Sequence, residues 1–256
     1  MPIGQFREEW RVRRGISQLS IGGGAARESY LQKIIAMFGT SLIGYWPMGD
    51  EAGTVAVDYS GNGYNGVYTG VTLGQGGIGD GLTCPLYDGA NDYMQPPAGF
   101  RTAFNGPEGT VGGWARVSAS GVWSDGQSRC LASIEADANN WVRIEKTGTL
   151  NTVSFLYVAG GTSEFQTSSA LAGTLNFFHW ALTWSKSGEV IFGYLNGAQV
   201  ITSITLGIWV GVPAATLTVF GSRTSTPAVI WDGTKAHDFV LNRAATPAEV
   251  AAASAI

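Results

Sequence analysis

Between residues 178 and 184 the large apolar side chains fall at every second position, as Phe178, Trp180, Leu182 and Trp184. A period of two is the repeat of a β-strand, so these four share one face, assigned to the core, and His179 lies on the other. Residues 153–158 read as another strand. Residues 189–195 read as the strand after it, followed by the hairpin-turn pair Asn196-Gly197. Residues 217–220 and 236–241 are later strands. On the order of twelve to fourteen short strands at roughly 8–12-residue spacing predict an all-β sandwich or barrel. Residues 28–38 break this rhythm. Tyr30, Leu31, Ile34, Ile35 and Phe38 recur at spacings of one, three and four, the stripe of an amphipathic helix that Gly39 ends. Such a stripe packs either on the sandwich or against copies of itself in an oligomer, and both readings stand. Near the end, Thr246-Pro247-Ala248-Glu249 carries an N-cap, an N1 proline and an N3 glutamate, predicting a short helix to about residue 254. No repeat or Pro-rich linker divides residues 42–256. The expected organisation is an arm with its helix over 1–40 and a sandwich over 41–256.

Composition sharpens this picture. Only 13% of the 256 residues are charged and 37 are glycine. So low a charge fraction suits an all-β protein whose surface is Gly, Ser, Thr and Asn, or one that buries much of its exterior against partners. The charge is also uneven. Residues 1–27 hold five arginines against two glutamates, net +3, so the rest of the chain carries −7 of the total −4. A basic arm on an acidic body points to docking, with Arg7, Trp10, Arg11, Arg13 and Arg14 as the anchoring residues. The acidic total argues against general nucleic-acid binding. Cys84 and Cys130 have no metal-ligand spacing and are either bonded or reduced. The N-terminus lacks an apolar signal region. The uncharged stretch 34–48, broken by Gly39, Gly44 and Pro47, is too short to span a bilayer. The expectation is a protein made in a cytoplasm, not exported by that route and not inserted in a membrane.

Three segments resemble the laminin-G-like domains of the concanavalin A-like superfamily. Residues 42–66, LIGYWPMGDEAGTVAVDYSGNGYNG, are similar to the family's opening, with Asp58, Ser60, Gly61, Asn62, Gly63, Asn65 and Gly66 matching its Asp-x-Ser-Gly-Asn-Gly-x-x-Gly part. Residues 88–93, DGANDY, follow in the family's order. Residues 178–197, FHWALTWSKSGEVIFGYLNG, and 242–250, NRAATPAEV, resemble its later strands and its closing segment. The resemblance covers about 42–256 and implies a jelly-roll sandwich of two antiparallel sheets. It also implies an occasional structural calcium ion, but Ala236 stands six residues before Asn242 where the family often has Asp. Asp50, Asp58, Asp88 and Asp92 are the oxygen donors a calcium would use; their competing reading is as turn caps. No other cofactor is expected.

The superfamily includes β-glucan-cleaving enzymes, whose paired carboxylates lie on one strand in a Glu-x-Asp-x-x-Glu array. The nearest approach here is Glu135-Ala136-Asp137-Ala138-Asn139-Asn140, where Asn140 replaces the third carboxylate and the last four residues read as a turn. His179 and His237 sit singly in separate strands, as packing or hydrogen-bonding residues. Gly74-Gln75-Gly76-Gly77-Ile78-Gly79 matches a nucleotide-binding fingerprint by letter, but the following Asp80-Gly81-Leu82-Thr83-Cys84-Pro85 cannot open the helix that fingerprint needs. The expectation is no catalysis.

Two function classes remain. In one, Trp123 with Asp125 and Trp209, each in a Gly-flanked loop, stack on a glycan or fill a protein interface. In the other, the chain is a virion-surface protein. The resemblance extends to phage head-decoration and fibre domains, and the basic arm and helix precede the body as an anchor would. The reading favoured is a non-enzymatic capsid-decoration or head-fibre subunit in a virion assembled in the host cytoplasm. Its partners would be other virion proteins, in capsid or tail, and copies of itself in a homo-oligomer. A tail-fibre or receptor-binding protein is second. A bacterial, extracellular carbohydrate-binding module that meets cell-surface or environmental glycans is third.

Overall fold

The computed structural model describes residues 29–148, 152–167, 171 and 174–256. The basic arm with Arg7, Trp10, Arg11, Arg13 and Arg14 lies outside them. The described chain opens with helix α1 (Tyr30–Phe38) and continues through β1 (Leu42–Trp46), β2 (Val55–Ala56), β3 (Gly66–Thr69), β4 (Thr72–Gly76), β5 (Thr83–Asp88) and β6 (Tyr93–Gln95). After the short helix α2 (Ala98–Ala103) come β7 (Glu108–Val117), β8 (Arg129–Asp137), β9 (Asn140–Lys146), β10 (Val153–Ala159) and β11 (Thr162–Thr167). The last part holds β12 (Phe178–Ser185), β13 (Val190–Leu195), β14 (Ala198–Ile204), β15 (Thr218–Phe220), β16 (Asp232–Leu241) and helix α3 (Pro247–Ala253).

These strands form two antiparallel sheets. One runs β14-β13-β12-β7-β16-β5-β4, with β1 also on β16; the other runs β11-β10-β9-β8-β15-β6-β3-β2. The inner faces meet in an aromatic core that includes Trp46, Tyr87, Phe155, Tyr157, Trp180, Trp184, Phe220 and Trp231. Each such side chain contributes on the order of 1.5–3 kcal/mol through the apolar area it removes from water. Phe178, Trp180, Leu182 and Trp184 all face this core, as their alternation predicted.

The outer face of the first sheet is covered as well. Helices α1 and α3 lie on it, and Tyr30, Ile34, Phe38, Trp114, Ala181, Phe239, Val250 and Ala253 form a second apolar cluster. Leu31 and Ile35 are half-buried against the same cluster. Of the two readings of the helical stripe, packing on the chain's own sandwich is the one observed. Tyr30 fastens the contact, donating from its hydroxyl to the Ala253 carbonyl (2.5 Å) and accepting from Trp114 Nε1 (2.8 Å). Helix α1 starts at Tyr30 because Ser29 caps it in a capping box with Gln32. In α3, Thr246 and Glu249 form the predicted box. Cys84 and Cys130 are both buried and unbonded.

Candidate functional site

The two loop tryptophans require a correction. Trp123 is 1% exposed and Trp209 8% exposed, so neither offers a face to a sugar or a partner. Trp123 sits on a 3₁₀ turn (Ser120–Ser124), packs against Phe178 at 5.8 Å and donates Nε1–H to the Thr174 carbonyl (2.8 Å). Trp209 folds back onto Phe104 (5.5 Å) and Tyr157 (6.1 Å), with its indole N–H on the Gly211 carbonyl (3.0 Å). A loop indole whose N–H finds a carbonyl is buried at little polar cost, and its large apolar area then draws it inward. Asp125 is not a free ligand group either. Its carboxylate bonds Arg129 Nη2 (2.7 Å), Lys146 Nζ (2.8 Å) and the Gln127 N–H (2.9 Å). Burial opposes its ionisation, but these donors outweigh it and hold the carboxyl down to about 2.

Each of the four aspartates named as calcium donors accepts a hydrogen bond within its own turn or from a neighbouring strand, although Asp92 Oδ1 is buried without a partner. Asp58 accepts from the Tyr45, Ser60 and Tyr64 amides (3.0, 2.8 and 2.8 Å), tying the 58–66 loop to β1, and Asn62 donates to the Leu42 and Ile43 carbonyls. Asp92 accepts from the Asp88 amide and Asp88 from the Ala90 amide, 2.8 Å each. Asp50 accepts from the Tyr68 hydroxyl (2.9 Å). Among the described residues no three His, Cys, Asp or Glu side chains converge as metal ligands would.

The groups weighed for catalysis are likewise engaged. Glu135 pairs with Arg143, and Asp137 caps the turn through the Asn139 amide (2.8 Å) and the Asn140 side chain (2.9 Å). His237 is not single: its Nε2 meets Asp80 (2.9 Å) and its Nδ1 the Tyr45 hydroxyl (2.7 Å). The trio resembles a proton relay, but every member is buried under α1, out of reach of a substrate. Its partners come from β1 and the loop after β4, a meeting that no local pattern announces. His179, fully buried between Trp114 and Phe239, is kept neutral: desolvation lowers it to about 3, with the Lys33 charge adding to the effect.

An open cavity of about 220 Å³ lies where β7 ends and β16 begins and is lined by Arg116, Val117, Ser118, Leu175 and Thr234. Arg116 and Thr234 are register partners across the two strands. Gly233 makes that approach possible: its φ of 148° and a Cβ that would fall 2.0 Å from the Arg116 carbonyl both require glycine. The Arg116 guanidinium lies over the Phe177 ring at 4.6 Å. At the rim, Ser118 bonds Asp232 through its amide and its hydroxyl. Leu175 supplies an exposed apolar wall. The site therefore offers one fixed cation, the Ser118 hydroxyl and an apolar surface, and no carboxylate is among its described lining residues. Sequence reasoning missed these residues, although a lone arginine in the apolar run of β7 was a readable signal. The second cavity, about 70 Å³, lies between α1 and the β1–β2 loop beside Asp50 and Tyr59.

Fold and site together define a β-sandwich of two antiparallel sheets with an open polar cavity at its edge. It resembles, at a TM-score of 0.61 and 14% identity, Domain 4 of AbnA, a GH43 extracellular arabinanase from Geobacillus stearothermophilus solved in complex with arabinotriose, covering 84% of this chain and 98% of that one. It also resembles the receptor binding domain of the botulinum neurotoxin C/D mosaic serotype (TM-score 0.64, 11% identity, 84% of this chain). A third neighbour is Trypanosoma rangeli sialidase in complex with the inhibitor DANA (TM-score 0.60, 11% identity, 83% of this chain). The chain spans 51% of the toxin domain and 32% of the sialidase, and at these identities the likeness is one of fold. No known family profile and no curated protein matches the sequence.

Proposed function

We propose that this chain is a non-enzymatic adhesive module that presents the Arg116 cavity to a glycan. The cavity itself carries the reading. A stacked guanidinium, the Ser118 hydroxyl and an apolar wall suit a sugar's polar edge and apolar face, and the carboxylates weighed for glycoside cleavage are held in caps and ion pairs. Fold neighbours, one solved in complex with arabinotriose and one described as a receptor binding domain, support it by analogy of scaffold. The test is a glycan array probed with the full chain, followed by titration of the hits against Arg116→Gln. Hits weakened by that substitution support the reading; an array without hits, or hits indifferent to it, sinks it.

A specific observation favours a tethered form of this function. Helix α1 is held on the body by Tyr30, Ile34 and Phe38, and Arg7, Arg11, Arg13 and Arg14 precede it in the sequence. A basic segment ahead of such a helix suits attachment to an acidic surface of a larger particle. The particle we propose is a virion, with the chain as a capsid-decoration or head-fibre subunit, or as a tail-fibre receptor-binding protein. Co-sedimentation with candidate virion shells, with Arg7, Arg11, Arg13 and Arg14 changed to Ser as the comparison, tests it; equal co-sedimentation removes the anchoring role.

A further inference from the structure

We infer that the Arg116 cavity selects a sugar bearing a carboxylate, either a terminal nonulosonic acid or a uronic acid; this rests on the adhesive reading of the same cavity. The observation is an unmatched guanidinium. Six arginines lie among the described residues. Arg129 pairs with Asp125, Arg143 with Glu135, Arg223 with Glu145 and Arg243 with Glu249. Arg101 donates to the Pro213 carbonyl. Arg116 alone among them has no hydrogen-bond acceptor among the described residues. It is nonetheless held in place, stacked on Phe177 at 4.6 Å beside the cavity.

The chemistry of the anion follows from the count of charges. One guanidinium presents a planar fork of donors that matches a carboxylate two-for-two. No lysine or second arginine lines the cavity, and Asp232 stands at its rim on Ser118. A phosphate near −2 would meet one positive charge and a neighbouring negative one, so the singly charged, planar group fits better. Size restricts the ligand further. About 220 Å³ is below the ~300–1,000 Å³ usual for drug-sized ligands, which suits one acidic ring with the remainder of the glycan in solvent. The Ser118 hydroxyl at the rim then meets a ring hydroxyl, and Leu175 the ring's apolar side.

The test is titration calorimetry of the full chain with 3′-sialyllactose against lactose, and tri-galacturonate against its methyl ester, beside an array carrying acidic, sulfated and neutral glycans. At least one acidic probe is expected to bind, with its neutral counterpart about 10- to 100-fold weaker, the loss of a charge-assisted contact. Arg116→Gln should erase that difference. Arg116→Lys should keep a fraction of it, since a point charge lacks the fork. Phe177→Leu, which leaves the charge and removes its support, should weaken the acidic probe and serves if Arg116→Gln does not fold. Preference for sialyllactose assigns the terminal acid; preference for galacturonate assigns the chain acid. Acidic and neutral probes bound alike, or sulfated glycans preferred, overturns the carboxylate inference and leaves the adhesive reading in place. No response from any probe or from the array overturns both.

Discussion

Lys235 and Asp238 are three residues apart on β16 and both are fully sequestered. Ideal alternation would send them to opposite faces; a bulge between Ala236 and Phe239, with His237 at φ 55°, turns both inward. Lys235 Nζ bonds Asp238 and the Leu131 carbonyl (2.8 Å) and sits 5.2–5.9 Å from the rings of Phe220, Trp180 and Tyr87. Removing one member leaves a buried lone charge, so Lys235→Met is expected to cost about 3–5 kcal/mol in chemical denaturation, and Lys235→Met with Asp238→Leu much less. Burial pushes the Asp238 carboxyl up to about 6 against the pull of Lys235. An acid with raised native affinity takes up protons on folding. Its contribution therefore declines as pH rises from about 4, the ordinary carboxylate value, to about 6. Denaturation curves across that window should show the decline in the parent chain and not in the double variant. His179 acts in the opposite sense. Held neutral to about pH 3, it destabilises the native state as pH falls below about 6.5, where the unfolded imidazole protonates. His179→Phe should flatten that loss.

At the scale of elements, the two terminal helices close the outer face of the sheet, and their caps are testable. Thr246→Ala removes the acceptor for the Glu249 amide and should cost about 1 kcal/mol. Glu249 is held down to about 2, chiefly by its hydrogen bonds with Arg243 (2.6 and 2.9 Å) against some burial. A depressed carboxyl stabilises above its unfolded value and loses that contribution as pH falls toward 2. Glu249→Gln is accordingly expected to be less stable than the parent at neutral pH and to converge with it in acid, read from thermal melts at both pH values. In α1, Phe38→Ala opens a void beneath Phe239, stacked at 5.3 Å, and is expected to cost about 3–5 kcal/mol.

For the whole molecule, the helix on the sheet changes what can be cut away. A chain beginning at Ser29 keeps Tyr30, Ile34 and Phe38 on the second cluster and should melt near the full-length temperature. A chain beginning at Thr40 exposes that cluster and should melt far lower or aggregate. The same accounting applies to calcium. With an oxygen of each of Asp50, Asp58, Asp88 and Asp92 held by an amide or a tyrosine and no three acidic, His or Cys side chains converging among the described residues, a chelator is expected to leave the melting temperature unchanged; a drop of several degrees, restored by calcium, would show an ion bound there.

What the sequence determined by itself was whatever is written in local period and turn chemistry. The alternation of Phe178, Trp180, Leu182 and Trp184, the stripe from Tyr30 to Phe38 and the box at Thr246 each state an element, because neighbours a few residues apart set backbone geometry. The tertiary structure alone decided which of two possible partners each surface met. It laid α1 on its own sheet, turned Trp123 and Trp209 inward, and brought Asp80 and Tyr45 to His237. It also left Arg116 at a cavity without an acceptor among the described residues. Those outcomes depend on residues far apart in the chain, where burial and the pairing of charge are settled only once the sheets have closed.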